Sequence, residues 1–119
     1  MVLNCSSLVP SERVAYDFME AYYVSADLQR AEQLASGLAL EKIQSSVQLR
    51  EGQTIDETTR RPEVSFKKIE GQVNGDEAVY LFLVTISPSD FQPIKKQSRL
   101  RIRLQEGVWK VTQFSDQDL

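Results

Sequence analysis

The sequence predicts an α+β fold in which N-terminal helices pack on a curved, mainly antiparallel β-sheet. Three features carry this. Apolar residues recur at helical spacing through the first third of the chain. Asn74-Gly75, among the strongest short-range hairpin signals, separates two long β-prone runs. The last quarter, Arg99 to Phe114, alternates between apolar and polar residues on either side of Glu106-Gly107. Helices first and strands afterwards leave only a few α+β designs open.

Pro10 and Ser11 open the first helix, a proline near N1 beside a capping residue. Placed at about 100° per residue, Val14, Ala15, Phe18, Met19, Ala21, Tyr22, Tyr23 and Ala26 share one broad arc, with Arg13, Asp17, Glu20 and Val24 opposite. Asp27 is positioned to cap a second helix that turns Leu28, Ala31, Leu34 and Ala35 inward. Gly37 interrupts it. Leu40, Ile43 and Val47 then mark a third short helix or a continuation of the second. Residues 50–62 read as a polar loop, and Pro62 biases Arg61 toward an extended conformation.

Glu63–Val73 is the first strand and Glu77–Ser87 its return, ended by Ser87-Pro88-Ser89-Asp90. On the return strand, Tyr80, Phe82, Val84 and Ile86 face one way and Val79, Leu81 and Leu83 the other. A strand apolar on both faces is expected to be covered on both. A connection through Pro93 leads to the terminal hairpin. Its two-residue turn at Glu106-Gly107 pairs Leu104 with Trp109, Ile102 with Val111 and Leu100 with Gln113. The opposite face then gathers Arg103 with Lys110, Arg101 with Thr112 and Arg99 with Phe114.

With 119 residues the chain suffices for one domain, expected over 11–119 after a leader at 1–10. Its composition, 41% hydrophobic and 26% charged, is that of a soluble globular protein. The net charge of −3 gives no global attraction to nucleic acid or anionic membrane. Histidine is absent, which removes the commonest general base and the commonest transition-metal ligand. The single cysteine, Cys5, has no internal disulfide partner. Cys5-Ser6-Ser7 is similar to the start of a mature bacterial lipoprotein, although Asn4 stands where a small residue is usual. Two expectations follow for this segment: a membrane tether through a lost N-terminal anchor, or an unstructured leader with an incidental thiol. Cytoplasmic and extracytoplasmic locations both stay open.

Two or three helices followed by long antiparallel strands ending in Gly107-Val108-Trp109-Lys110-Val111 resemble the nuclear transport factor 2-like superfamily. Phe18-Met19-Glu20-Ala21-Tyr22-Tyr23, followed by Ala26-Asp27-Leu28, resembles the usual ending of its first helix. The likeness in order spans residues 11–115. A cystatin-like sheet wrapped on a helix is the nearest competitor, and several helices before the sheet favour the first family. The resemblance implies a cone with a pocket between sheet and helices. The superfamily holds isomerases, dehydratases, epoxide hydrolases and polyketide cyclases beside members that only bind or assemble, so fold alone assigns no activity.

Enzymes of that superfamily generally use a pocket carboxylate or histidine, often with a tyrosine. Here no carboxylate interrupts 78–87, 99–104 or 108–114, and Asp17 and Glu20 fall on the wet side of the first helix. No glycine-rich phosphate loop, Ser/His/Asp set or metal-ligand spacing is present, and no cofactor is expected. The leading reading is therefore a non-catalytic ligand-binding or assembly domain. A small apolar ligand would sit among Phe18, Tyr22, Tyr80, Phe82 and Trp109. The alternative is a small isomerase, cyclase or hydrolase built on Asp27 with Tyr16 or Tyr23. Arg99, Arg101, Arg103 and Lys110 repel one another on one face and call for acids, from Glu63, Glu70 or another chain. Without surrounding basic charge and exposed stacking aromatics, nucleic acid is not the expected partner. Val79, Leu81 and Leu83 need a cover, and a sheet-to-sheet homodimer, common in the families resembled, would supply it with the arginines as its polar rim.

Overall fold

The computed structural model describes residues 9–51, 63–87 and 92–119. The expected loop over 50–62 begins two residues later, since residues 50 and 51 are helical; its remainder, Cys5 and the expected strand end at Pro88-Ser89-Asp90 lie outside the described residues. Helices α1 (Pro10–Met19), α2 (Leu28–Gln33) and α3 (Gly37–Glu51) precede strands β1 (Glu63–Asn74), β2 (Glu77–Ser87), β3 (Ile94–Gln105) and β4 (Val108–Asp118). The strands form one antiparallel sheet in the order β1-β2-β3-β4. All three helices lie on one side, α1 against β2, β3 and β4, and α3 against β4. Strands this long, at about 3.3 Å per residue, account for most of the 44 Å long axis.

The helical face of α1 buries Ser11, Ala15, Phe18 and Met19. The α-helix does not run to residue 26 as the periodicity predicts. Glu20–Val24 is a π-helical turn, closed by the Ser25 amide donating to the Glu20 carbonyl at 2.8 Å. Ala26 then adopts φ 53° and ends the helix. Asp27 caps α2 as expected, its Oδ1 accepting from the Arg30 amide at 3.2 Å. The third helix is separate from the second because the chain between them bonds to β4. The Val111 amide donates to Leu34 O and the Ser36 amide to Val111 O, both at 2.8 Å. These bonds also occupy part of an otherwise open sheet edge. Ile43 is buried and Leu40 packs against the core, while the side chain of Val47 lies outside those described.

Gly75 turns the first hairpin at φ 61°, and Glu106 and Gly107 turn the last at φ 51° and 80°. Two-residue hairpins of twisted strands favour turns with positive φ at the first central residue or at both, as at Gly75 and at Glu106-Gly107 respectively. In the last hairpin, Leu104–Trp109, Ile102–Val111 and Arg103–Lys110 pair as predicted. Beyond them the register shifts: Leu100 pairs with Phe114, Arg101 with Gln113 and Arg99 with Ser115. The bulge falls at Thr112. Strict alternation would have left Phe114 beside Arg99 on the open face. One extra residue returns its ring to the helical face, where it is 4% exposed. A second bulge, at Ile69 in β1, separates the pairs Lys68–Phe82 and Glu70–Leu81.

The core is continuous: Ala78, Tyr80, Phe82 and Val84 of β2 and Leu100 and Ile102 of β3 meet α1 and α3. Tyr80 is held at both ends. Its hydroxyl shares a buried hydrogen bond of 2.8 Å with Ser11 Oγ, and its ring lies against Gly71, where an added Cβ would come within 2.7 Å of two ring carbons. Lys68 pairs with Glu12 beside it, which raises the Lys68 pKa and fastens α1 to β1.

Two substitutions test this packing. Gly71→Ala should lower stability by about 1–3 kcal/mol, because the Tyr80 ring cannot retreat without breaking its bond to Ser11. An unchanged denaturant midpoint would show that it can. Phe114→Ala should cost about 3–5 kcal/mol, the usual loss for a buried aromatic. A loss below about 0.5 kcal/mol, the range of surface positions, would mean that the bulge does not serve to bury this ring.

Candidate functional site

The interior aromatic residues form two groups. Tyr16, Phe66 and Phe82 surround one another with ring centroids 5.6–5.8 Å apart. Phe18, Tyr22 and Phe114 make the second group, Tyr22 stacked on Phe18 at 5.7 Å and both set edgewise to Phe114. Of the residues expected to line a ligand pocket, Phe18, Tyr80 and Phe82 are thus part of the packed core, at most 2% exposed. Tyr22 sits at its margin, and Trp109 is half-buried beside its cross-strand neighbour Leu104.

Of the alternative catalytic set, Asp27 is exposed and engaged as a helix cap. Tyr16 packs its ring between Phe66 and Phe82. Tyr23, at the end of the π-helical turn, finds its carboxylate on β4. Its hydroxyl donates to Asp116 Oδ2 at 2.9 Å and lies 3.2 Å from Ser98 Oγ. With the phenol proton committed to Asp116, Ser98 is the donor in the second bond. Ser98 is fully buried, in the inward row that also carries Leu100 and Ile102, so its hydroxyl needs this partner. Burial drives the Tyr23 pKa far above the ordinary tyrosine value. Asp116 adds to the rise and the Ser98 hydrogen bond opposes it. Tyr23 is therefore a neutral donor whose proton is already used, the opposite of a poised base. Asp116 is not found by sequence reasoning because the alternating pattern stops at Phe114. Residue 116, two positions on, shares the face of Phe114 once β4 extends to Asp118.

Asp17 and Glu20, expected on the wet side of the first helix, are partly exposed and locally partnered. Asp17 lies 4.0 Å from Arg30, and Glu20 accepts from Ser25 Oγ at 3.2 Å. Among the described residues no group of His, Cys, Asp and Glu is arranged to hold a metal ion. No described helix is long and apolar enough to cross a membrane.

The helix-free face of the sheet presents Val79, Leu81 and Leu83, each half-buried by its neighbours on the strands. Among the described residues no second layer covers them. Glu70, Gln72, Val79, Leu81, Gln97 and Arg99 line an open groove of about 400 Å³. Arg99 and Arg101, with Gln113 and Ser115, line an adjoining hollow of about 210 Å³. Relief of the basic face comes from Glu77, which binds Arg101 Nε at 3.3 Å, and not from the expected Glu63 or Glu70. Lys110 donates to the Gln33 carbonyl at the C-terminal end of α2, a favourable place for a cation. Arg99 and Arg103 have no ion pair among the described residues.

Removing the Tyr23 hydroxyl tests the polar cluster. Because the folded-state pKa lies above the unfolded one, the phenol's contribution is complete below about pH 10 and is lost as pH rises from there. Tyr23→Phe should lower stability at neutral pH by about 1–3 kcal/mol, leaving Ser98 buried without its partner. It should also flatten the fall in stability above about pH 10. Parallel profiles for the two proteins would contradict this assignment.

No family model matches the chain, and no curated protein matches it. Solved structures do. A putative calcium/calmodulin-dependent protein kinase type II association domain from Thiobacillus denitrificans superposes with a TM-score of 0.71 at 11% identity, covering 96% of this chain and 99% of the other. The intermembrane space region of the chloroplast protein ARC6 gives 0.54 at 10% identity, covering 95% and 99%. A SEC-C motif containing protein from Rhodopseudomonas palustris gives 0.50 at 10% identity, covering 98% and 100%. At such identities the likeness is one of fold: three helices on one face of a curved, four-stranded antiparallel sheet, the α+β cone of nuclear transport factor 2-like type.

Proposed function

We propose that this chain is a non-catalytic assembly domain of the nuclear transport factor 2-like superfamily, pairing with a second copy through the helix-free face of its sheet. The observation that carries the reading is the row Val79, Leu81 and Leu83 on the central strand β2, apolar and without a covering layer among the described residues. The helical face of the same strand is already filled by the core. Burying an apolar row against its own copy removes it from water at about 25 cal/mol per Å², and a polar rim is present in Gln72, Gln97, Arg99 and Arg101. The similar Thiobacillus denitrificans structure is that of a putative association domain, which agrees in kind with this reading.

Against an acid–base enzyme stand the engagement of Asp27 in capping and of Tyr23 with Asp116. Against a large enclosed ligand stands the burial of Phe18, Tyr80 and Phe82 in the core. Native mass spectrometry reads subunit count and retained small molecules together. The expected result is a dimer of bare chains. Leu81→Glu should shift it to monomer, because the two-fold partner would place two carboxylates in one apolar contact. An unchanged dimeric mass in that variant would remove the sheet face from the interface, and extra mass lost on denaturation would return attention to a ligand.

A further inference from the structure

The register of the sheet gives the open face a charge order that selects one way for two copies to meet. Glu70, Leu81 and Arg99 are successive cross-strand partners on β1, β2 and β3. All three line the same groove, so they form a row across the strands, acid, leucine, base, with neighbours about 5 Å apart. Neither Glu70 nor Arg99 has an ion-pair partner among the described residues. The next rows are Gln72, Val79 and Arg101 on one side and Lys67, Leu83 and Gln97 on the other.

A symmetric pair of facing sheets has its two-fold axis in the plane between them. If that axis ran across the strands, each strand would face its own copy, setting Arg99 against Arg99 and Glu70 against Glu70. If it ran along β2, β1 of one protomer would face β3 of the other. Leu81 would then meet Leu81, and Glu70 would meet Arg99 on both flanks of that contact. The flanking rows agree, since Gln72 would face Arg101, and Lys67 would face Gln97. Aligned sheets cross at about 30°, which moves charges one strand from the axis by only a few ångström, within reach of Glu and Arg side chains.

We propose that the second copy docks about a two-fold axis along β2, with Glu70 of each protomer paired to Arg99 of the partner subunit. This rests on the sheet-pairing reading above and specifies its geometry. The pair sits beside the apolar centre, where like charges would oppose association strongly and opposite charges set the register.

The test uses the whole chain carrying Glu70→Lys or Arg99→Glu, alone and mixed, followed by native mass spectrometry and sedimentation at low salt. Each single variant should dimerise at least about tenfold more weakly, because both of its flanking pairs become repulsive. Mixing the two should restore a one-to-one heterodimer of near wild-type affinity. One flank then joins the two introduced charges, opposite in sign, and the other keeps an unaltered Arg99 against an unaltered Glu70. Added salt should shrink these differences. Single variants that dimerise as tightly as wild type would overturn the axis, as the crosswise arrangement predicts. A mixture that stays monomeric would overturn it too, by showing that the two charges act within one chain. A monomeric wild type would instead remove the sheet-pairing reading itself.

Discussion

The extra residue at Thr112 is the constraint on which the two faces of the sheet depend. It brings Phe114 back to the side of the helices, where the ring meets Phe18 at 5.0 Å and Tyr22 at 4.9 Å. Lys42 of α3 closes over it, its ammonium 4.4 Å from the ring centre and 3.3 Å from the Phe114 carbonyl. One bulged position thus joins α1, the π-helical turn, α3 and β4 through a single side chain. It also moves Ser115 onto the open face beside Arg99, leaving that side of the basic row small and polar. Without the bulge, the arginine face would carry an exposed aromatic ring and the core would have a gap.

Polar groups inside this protein are satisfied in ways that make them structural. Ser11 and Tyr80 answer each other across the top of the core. Ser98, placed in a row of aliphatic residues, has its hydroxyl taken by Tyr23, which in turn gives its proton to Asp116. A buried hydroxyl left alone costs more than the bond it makes is worth, so these pairs specify which residues meet as much as they stabilise the fold. The π-helical turn belongs to the same arrangement: widening the helix by one residue lets Tyr22 and Tyr23 both reach the sheet.

The sheet divides its two faces by kind of contact. Its helical side is closed at the centre by aromatic and aliphatic packing, where Phe82, Val84, Leu100 and Ile102 are fully buried. Its other side alternates apolar β2 residues with charged and amide groups on β1 and β3. Such a surface tolerates water yet still has apolar area to bury. The charges on it are ordered by strand register. The turn that sets Asn74 opposite Glu77 also sets Glu70 opposite Leu81, and the bulge at Ile69 shifts only the pairs beyond it, Lys68 with Phe82 and Lys67 with Leu83.

The order of elements, the buried arc of α1, the Asp27 cap, the hairpin turns and the two-sided character of β2 were all legible in the residues. Each depends on local geometry: the helical and strand periods, capping by a short acid, and turn residues that accept positive φ. The bulges at Ile69 and Thr112, the π-helical turn and the Tyr23–Ser98–Asp116 bonds were not legible. Each departs from a regular period, and the departure is favoured only when elements distant in sequence are packed together. Thus the sequence by itself determined the elements, their turns and the pairing beside the last turn, Leu104 with Trp109 and Ile102 with Val111. Tertiary structure decided the pairing beyond the bulges, and with it the face of Phe114, because only the packed core favours an extra residue in a strand.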